Sequence, residues 1–200
     1  MIKSLYLLAF CAILQSSVIA VEPPANGALI FTEYGSCLVS TYTKSTYSHV
    51  AIILYERGIP IVFEAKPGGT IKSPYASYLR TAVTTKGNQG KGVSFWLMNP
   101  KHPYSKNDIN AMLDKANDEL GTPYSVIPTL LGNEQPTLQC SQYVSLILQT
   151  SPRFWFRAPK YQTPSTLLGI VKPGYKPMSL VKQITPAPSS IIERLNKLFK

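Results

Sequence analysis

Residues 47–66 read YSHVAIILYERGIPIVFEAK, and the fold turns on how this stretch doubles back. YSHVAIIL and IPIVFEA are rich in β-branched and aromatic residues, the composition of strands, and YERG between them reads as the turn of a β-hairpin. An even-membered loop centred between Glu56 and Arg57 pairs positions whose numbers sum to 113, which sets His49 directly opposite Glu64. Cross-strand neighbours have Cβ atoms about 4.5–5.5 Å apart, close enough for a carboxylate to bond an imidazole and fix its tautomer. A three-residue loop would shift that register by one. Burying Glu64 within IVFEAK requires a partner, and His49 supplies one; the alternative is a strand-end carboxylate facing water or Lys66.

The segments around the hairpin extend the pattern. ALIFTEY (28–34) alternates as a strand, GVSFWLMN (92–99) is another, and MSLVKQI (178–184) is a late strand that rejoins the sheet. PGGTIKSPYASYLR (67–80) carries turn punctuation followed by a short helix. From Ser105 the period changes: Ser105 is placed as N-cap, with Asp108 three residues on. Ile109, Met112, Leu113, Ala116 and Leu120 fall at helical spacing, and Gly121 is the stop. TPYSVIPTLLGNEQPTLQ (122–139) is rich in Pro and Gly and reads as a loop. Thr163 caps a last helix with Pro164 at its first position.

The loop delivers the chain to LQCSQYVSLIL (138–148), where Cys140 stands at the start of a short apolar helix. Unpaired N–H groups and the positive end of the dipole lower a thiol's pKa there and favour the thiolate; the same N–H groups hold an oxyanion. Alone, Cys140 reads as a small buried hydrophobe, as most lone cysteines do, and His49 reads equally as a core histidine. Together with Glu64 they supply nucleophile, base and orienting acid for acyl transfer.

The chain has 200 residues, 44% of them hydrophobic, enough for one domain with a proper core. Residues 1–20 read as a signal peptide: Lys3 gives the positive start, LYLLAFCAILQSSVIA the apolar stretch, and Val18 and Ala20 the small-residue cleavage pattern. The folded domain is then 21–188, in a secreted or periplasmic setting after cleavage near Ala20. Cys37 and Cys140 would remain as the only cysteines; an oxidising compartment permits a bridge, but their different settings predict two free thiols. Residues 189–200 form a basic amphipathic tail that docks on the domain or lies on a membrane surface. The net charge of +10 is spread without a dense basic run or a nucleic-acid motif, so no nucleic-acid partner is expected. Anionic membrane or cell-wall surfaces fit the charge better.

The motifs GALIF (27–31), YSHVAIIL, GIPIVFEA (58–65), GTPYS (121–125), CSQYV (140–144) and TPSTL (163–167) resemble the YiiX/YebB-like permuted members of the NlpC/papain-like superfamily, from about Gly27 to about Leu168. The His strand precedes the Cys helix, the permuted order. The resemblance implies an α+β fold in which an antiparallel sheet packs against a helix carrying the Cys at its N-terminus. It also implies a cysteine amidase or peptidase with Cys140 as nucleophile, His49 as base and Glu64 as third polar residue. The family commonly has Tyr before the Cys, CSE after it and GxPYD upstream; here stand Gln139, Gln142 and Ser125. Gln139, Ser141, Gln142 and Tyr124 are the candidates for substrate or oxyanion contacts, and neither cofactor nor metal is expected. The leading expectation is an exported hydrolase cleaving a peptide or lipid-linked amide through an acyl-thioenzyme. A lipid acyltransferase or esterase of the same fold is the alternative, and a catalytically inactive binding module is a third reading.

Overall fold

The computed structural model describes residues 23–81, 92–131 and 135–184; the signal-peptide and tail assignments lie outside them. Six strands form one antiparallel sheet: β1 (Ala28–Glu33), β2 (Tyr47–Glu56), β3 (Ile59–Lys66), β4 (Gly69–Pro74), β5 (Val93–Met98) and β6 (Ser179–Ile184). Their spatial order is β4-β3-β2-β1-β5-β6. The helices are α1 (Cys37–Thr43), α2 (Tyr75–Thr81), α3 (Lys106–Asp118), α4 (Ile127–Leu131), α5 (Cys140–Leu148) and α6 (Pro164–Val171).

The central strands read as continuous apolar runs because both of their faces are covered. On one face Leu29, Phe31, Val50, Ile52, Leu54, Phe63 and Ala65 pack against Tyr143, Val144, Ile147 and Leu148 of α5. On the other, Ala28, Ile30, Ala51, Ile53, Val62 and Phe95 pack against Tyr78 of α2. α3 backs α5, and the Tyr143 hydroxyl donates to the Ala116 carbonyl at 2.6 Å, satisfying a carbonyl in the last turn of α3.

The hairpin forms, but its register differs from the expectation. β2 and β3 pair Glu56 with Ile59 and Ile52 with Phe63, so paired numbers sum to 115 and the turn is Arg57–Gly58. Both turn residues have positive φ, 52° and 81°, the geometry a right-twisted two-residue hairpin favours. Gly58 adopts it without a Cβ penalty, which centres the turn one residue later than expected. The sum changes by two, so every side chain keeps its face. Glu64 is therefore not directly opposite His49; extended, the register sets it against Ala51, with His49 diagonal to it.

Three further differences concern short elements. Gly69–Pro74, read as turn punctuation, is the edge strand β4. Gly68 and Gly69, at φ 106° and 117°, make the turn into it, and Thr70 then fastens to the loop after α3 through its N–H to Thr122 and its C=O from Gly121. Residues 37–43, given no element by the sequence reading, form α1, capped by Ser36, whose side chain accepts from the Val39 N–H. Part of the 122–139 loop is the single-turn helix α4. The capped helix at Ser105 has its capping box with Asp108 but ends at Asp118, before Gly121. Thr163 and Pro164 open α6 as expected, and 179–184 pairs with β5.

Candidate active site

The β2–β3 ladder ends at Ile52–Phe63, and the site occupies the place where the strands part. In a two-residue hairpin the even-numbered residues of β2 turn their N–H and C=O toward β3. Val50 is the first of these beyond the ladder, and its N–H faces the Cys140 sulfur, where it favours the thiolate. Cys140 arrives from the α5 side as the first residue of that helix, 3% exposed, with a free thiol. The side chain of Cys37 lies outside the described residues.

His49 and Glu64 meet across the gap, His49 Nε2 lying 2.9 Å from Glu64 Oε2. His49 interacts with Cys140 as well as with Glu64. Glu64 is 3% exposed, and its second oxygen lies 2.6 Å from Lys66 Nζ. A lone buried carboxylate costs several kcal/mol; two cationic partners offset that cost. Expected as alternatives, the His49 and Lys66 contacts coexist, because Lys66 is two residues on and shares Glu64's side of the strand.

The charges follow from these contacts. Burial favours a neutral His49, yet hydrogen bonding and charge from Cys140 and Glu64 outweigh it and raise its pKa to about 10. Burial also pushes the Cys140 thiol up, but the His49 bond and charge, the Val50 N–H and the Ser141 hydroxyl hold it below its ordinary value. Burial opposes ionisation of Glu64 as well, and His49 and Lys66 lower its pKa despite that. These contacts favour the charged forms of all three groups, thiolate, imidazolium and carboxylate.

The remaining candidates occupy different places. Gln139 is the N-cap of α5: its side-chain oxygen accepts from the Ser141 N–H at 2.8 Å, and its amide nitrogen donates to the Gln162 carbonyl. That oxygen also lies 3.6 Å from the Cys140 sulfur. Gln139 thus holds the helix start and ties it to the entry of α6. Ser141 is fully buried with its hydroxyl 3.8 Å from the sulfur. Tyr124 borders the groove over Cys140; Gln142, half-buried, is not among its lining residues. Among the described residues no three His, Cys, Asp or Glu side chains gather as metal ligands.

Little in the sequence announces the groove beside Cys140, an open depression of about 400 Å³ including the solvent at its mouth. Its walls are Val39 and Tyr42 of α1, Val126 and Leu130 at α4, and Pro164 of α6, and they are almost wholly apolar. Ser36 as a cap was the available signal for α1, masked by its β-branched content. α4 was hidden behind the Pro and Gly of its loop.

A cysteine at a helix start, a histidine from an earlier strand and a buried glutamate, set on an antiparallel sheet, are the arrangement of a papain-like fold in permuted order. The chain matches the family described as "permuted papain-like amidase enzyme, YaeF/YiiX, C92 family" over residues 23–163, and belongs to it. Among solved structures it is similar to YiiX of Escherichia coli O157:H7, titled a metalloprotein, with a TM-score of 0.51 and 19% identity. That similarity covers 85% of this chain and 92% of YiiX, and it shows the common fold. No curated protein matches significantly.

Proposed function

We propose that this protein is an exported cysteine amidase that cleaves amides of apolar acyl groups through an acyl-thioenzyme. The observation that carries the reading is the Cys140 thiol, held below its ordinary pKa beside the His49 imidazolium at the floor of an apolar groove. The thiolate attacks the amide carbonyl, and the Cys140 N–H at the start of α5 is the natural donor to the oxyanion, since the first helical N–H groups have no intrahelical partner. His49 gives its proton to the departing amine, leaving the thioester. It then takes a proton from water, which attacks the thioester and releases the carboxylic acid and the thiolate. Glu64 holds the ring and its charge throughout. Export rests on the leader-like pattern of residues 1–20.

The test is incubation with a medium-chain N-acyl anilide and with the matching activated ester, followed by intact mass and peptide mapping. An acyl adduct confined to Cys140, absent in Cys140→Ala, is expected. Normal turnover by folded Cys140→Ala would overturn the reading. The apolar groove equally suits a lipid acyltransferase, and an added amine that captures the acyl group in preference to water would favour that alternative. The complete set of thiol, imidazole and carboxylate argues against an inactive binding module.

A further inference from the structure

Nine large hydrophobic side chains are exposed among the described residues, and five of them are Tyr42, Ile127, Leu130, Leu131 and Tyr161. These five lie on α1, on α4 and on the 3-10 turn at Pro159–Tyr161. α1 and α4 wall the groove, and Thr129 of α4 is tied to the turn by a hydroxyl bond to the Lys160 carbonyl. Tyr42 and Leu130 line the groove and belong to it. Ile127 and Leu131 do not line it. They stand at i and i+4 on α4, hence on one side of its single turn, and Leu131 is 74% exposed. Nothing in the catalytic site accounts for two such side chains facing water at its mouth.

The segments that carry them are basic. Residues 34–47, 122–131 and 155–163 contain Lys44, Arg157 and Lys160 and no Asp or Glu; Glu33 immediately precedes the first and is engaged by the Trp96 indole N–H, and Glu134, the next acid in sequence after α4, lies outside the described residues. Lys44 and Arg157 are exposed, while Lys160 lies over the Tyr161 ring at 5.1 Å. Apolar tips within a basic surround are the chemistry that an anionic bilayer surface accepts: side chains enter the acyl boundary while cations stay among the headgroups.

We propose that the α1–α4 rim is a docking surface for an anionic lipid bilayer. Ile127 and Leu131 enter the acyl boundary, Lys44 and Arg157 meet the headgroups, and the groove mouth faces the lipid. The delivery of a membrane-borne acyl amide to Cys140 rests on the amidase reading above; the docking itself does not.

Sedimentation with vesicles of phosphatidylcholine, with and without phosphatidylglycerol, tests it in the full chain carrying Cys140→Ala, so that binding is read apart from chemistry. Binding that needs phosphatidylglycerol is expected, and Ile127→Ser with Leu131→Ser should weaken it by about tenfold or more, since each substitution removes an apolar side chain from the boundary. In the chain with Cys140 intact, the same double variant should turn over a soluble short-chain amide normally and lose turnover of a vesicle-borne one. Lys44→Ser with Arg157→Ser leaves α4 untouched and should reduce the phosphatidylglycerol dependence, so a folding defect in the first variant would not decide the matter. Undiminished vesicle binding by both variants, or binding to isolated cell-wall polymer but not to vesicles, would overturn the docking surface. Failure of soluble turnover in the otherwise unchanged chain would instead count against the amidase reading.

Discussion

Replacing Glu64 with Gln perturbs the charge of the site while keeping its shape. Glu64 Oε2 lies 2.9 Å from His49 Nε2, and at an effective dielectric of about 20, unit charges at that distance attract by roughly 6 kcal/mol. Two features reduce what a titration reads. Lys66 lies 2.6 Å from the other carboxylate oxygen and already draws on its charge, and the His49 side chain is 19% exposed, so water screens the pair. The expected effect is the one to three pKa units that a neighbouring opposite charge ordinarily causes, or about 1.4–4 kcal/mol. The imidazolium of His49, raised to about 10, should therefore lose its proton at a lower pH by that amount. The thiolate–imidazolium pair persists between the ionisation of Cys140 and that of His49, so the window closes from its alkaline side. Its acid side should stay or move slightly down, because the thiolate has lost a negative neighbour. Proton NMR of the imidazole C–H resonances measures this without any substrate. The chain has two histidines, and a His102→Gln control assigns the signals. A His49 midpoint unchanged in folded Glu64→Gln would refute the claim that the buried carboxylate sustains the imidazolium.

Lys66→Met should raise the His49 midpoint, because the carboxylate is then shared with one cation instead of two; Lys66→Arg should restore it, an outcome that loss of packing alone would not produce. His49→Ala should slow turnover of the soluble amide by about 10² to 10⁴ through loss of the acid–base group, measured as kcat/KM. Tyr143→Phe should cost about 1–2 kcal/mol in urea unfolding, since it removes a fully buried hydroxyl and orphans the Ala116 carbonyl. Gly27→Ala should also destabilise, by about 1–3 kcal/mol in the same assay. Its Cβ would fall 2.6 Å from the Tyr104 ring at a φ of +84°, beside the bonds that join Tyr104, Tyr175 and the Gly27 carbonyl.

Much of the scaffold was written locally. Ser105 with Asp108, and Thr163 with Pro164, mark helix starts because a cap is made by residues within one turn of each other. The apolar runs of β1, β2, β3 and β5 announce strands because strand composition is itself local. Cys140 at the head of an apolar helix, with His49 and Glu64, suggested the chemistry, and the resemblance carried by the separated motifs around them implied the permuted order. The pairing of His49 with Glu64 also survived a wrong register, since a shift of two residues preserves the face on which each side chain lies.

Only the tertiary structure decided the rest. The turn settled on Arg57–Gly58 because the two-residue geometry needs positive φ at both positions, and β4 became a strand because β3 and the loop after α3 both bond it. The ladder ends early enough for the Val50 N–H to face a sulfur carried by another layer, and Glu64 holds His49 and Lys66 at once. The groove is assembled from α1, α4 and the start of α6, segments more than a hundred residues apart at their ends. Sequence periodicity describes what a residue shares with its near neighbours. A pKa, a docking rim or a substrate groove depends on which distant groups close around it, and burial and charge fix those only when the layers pack.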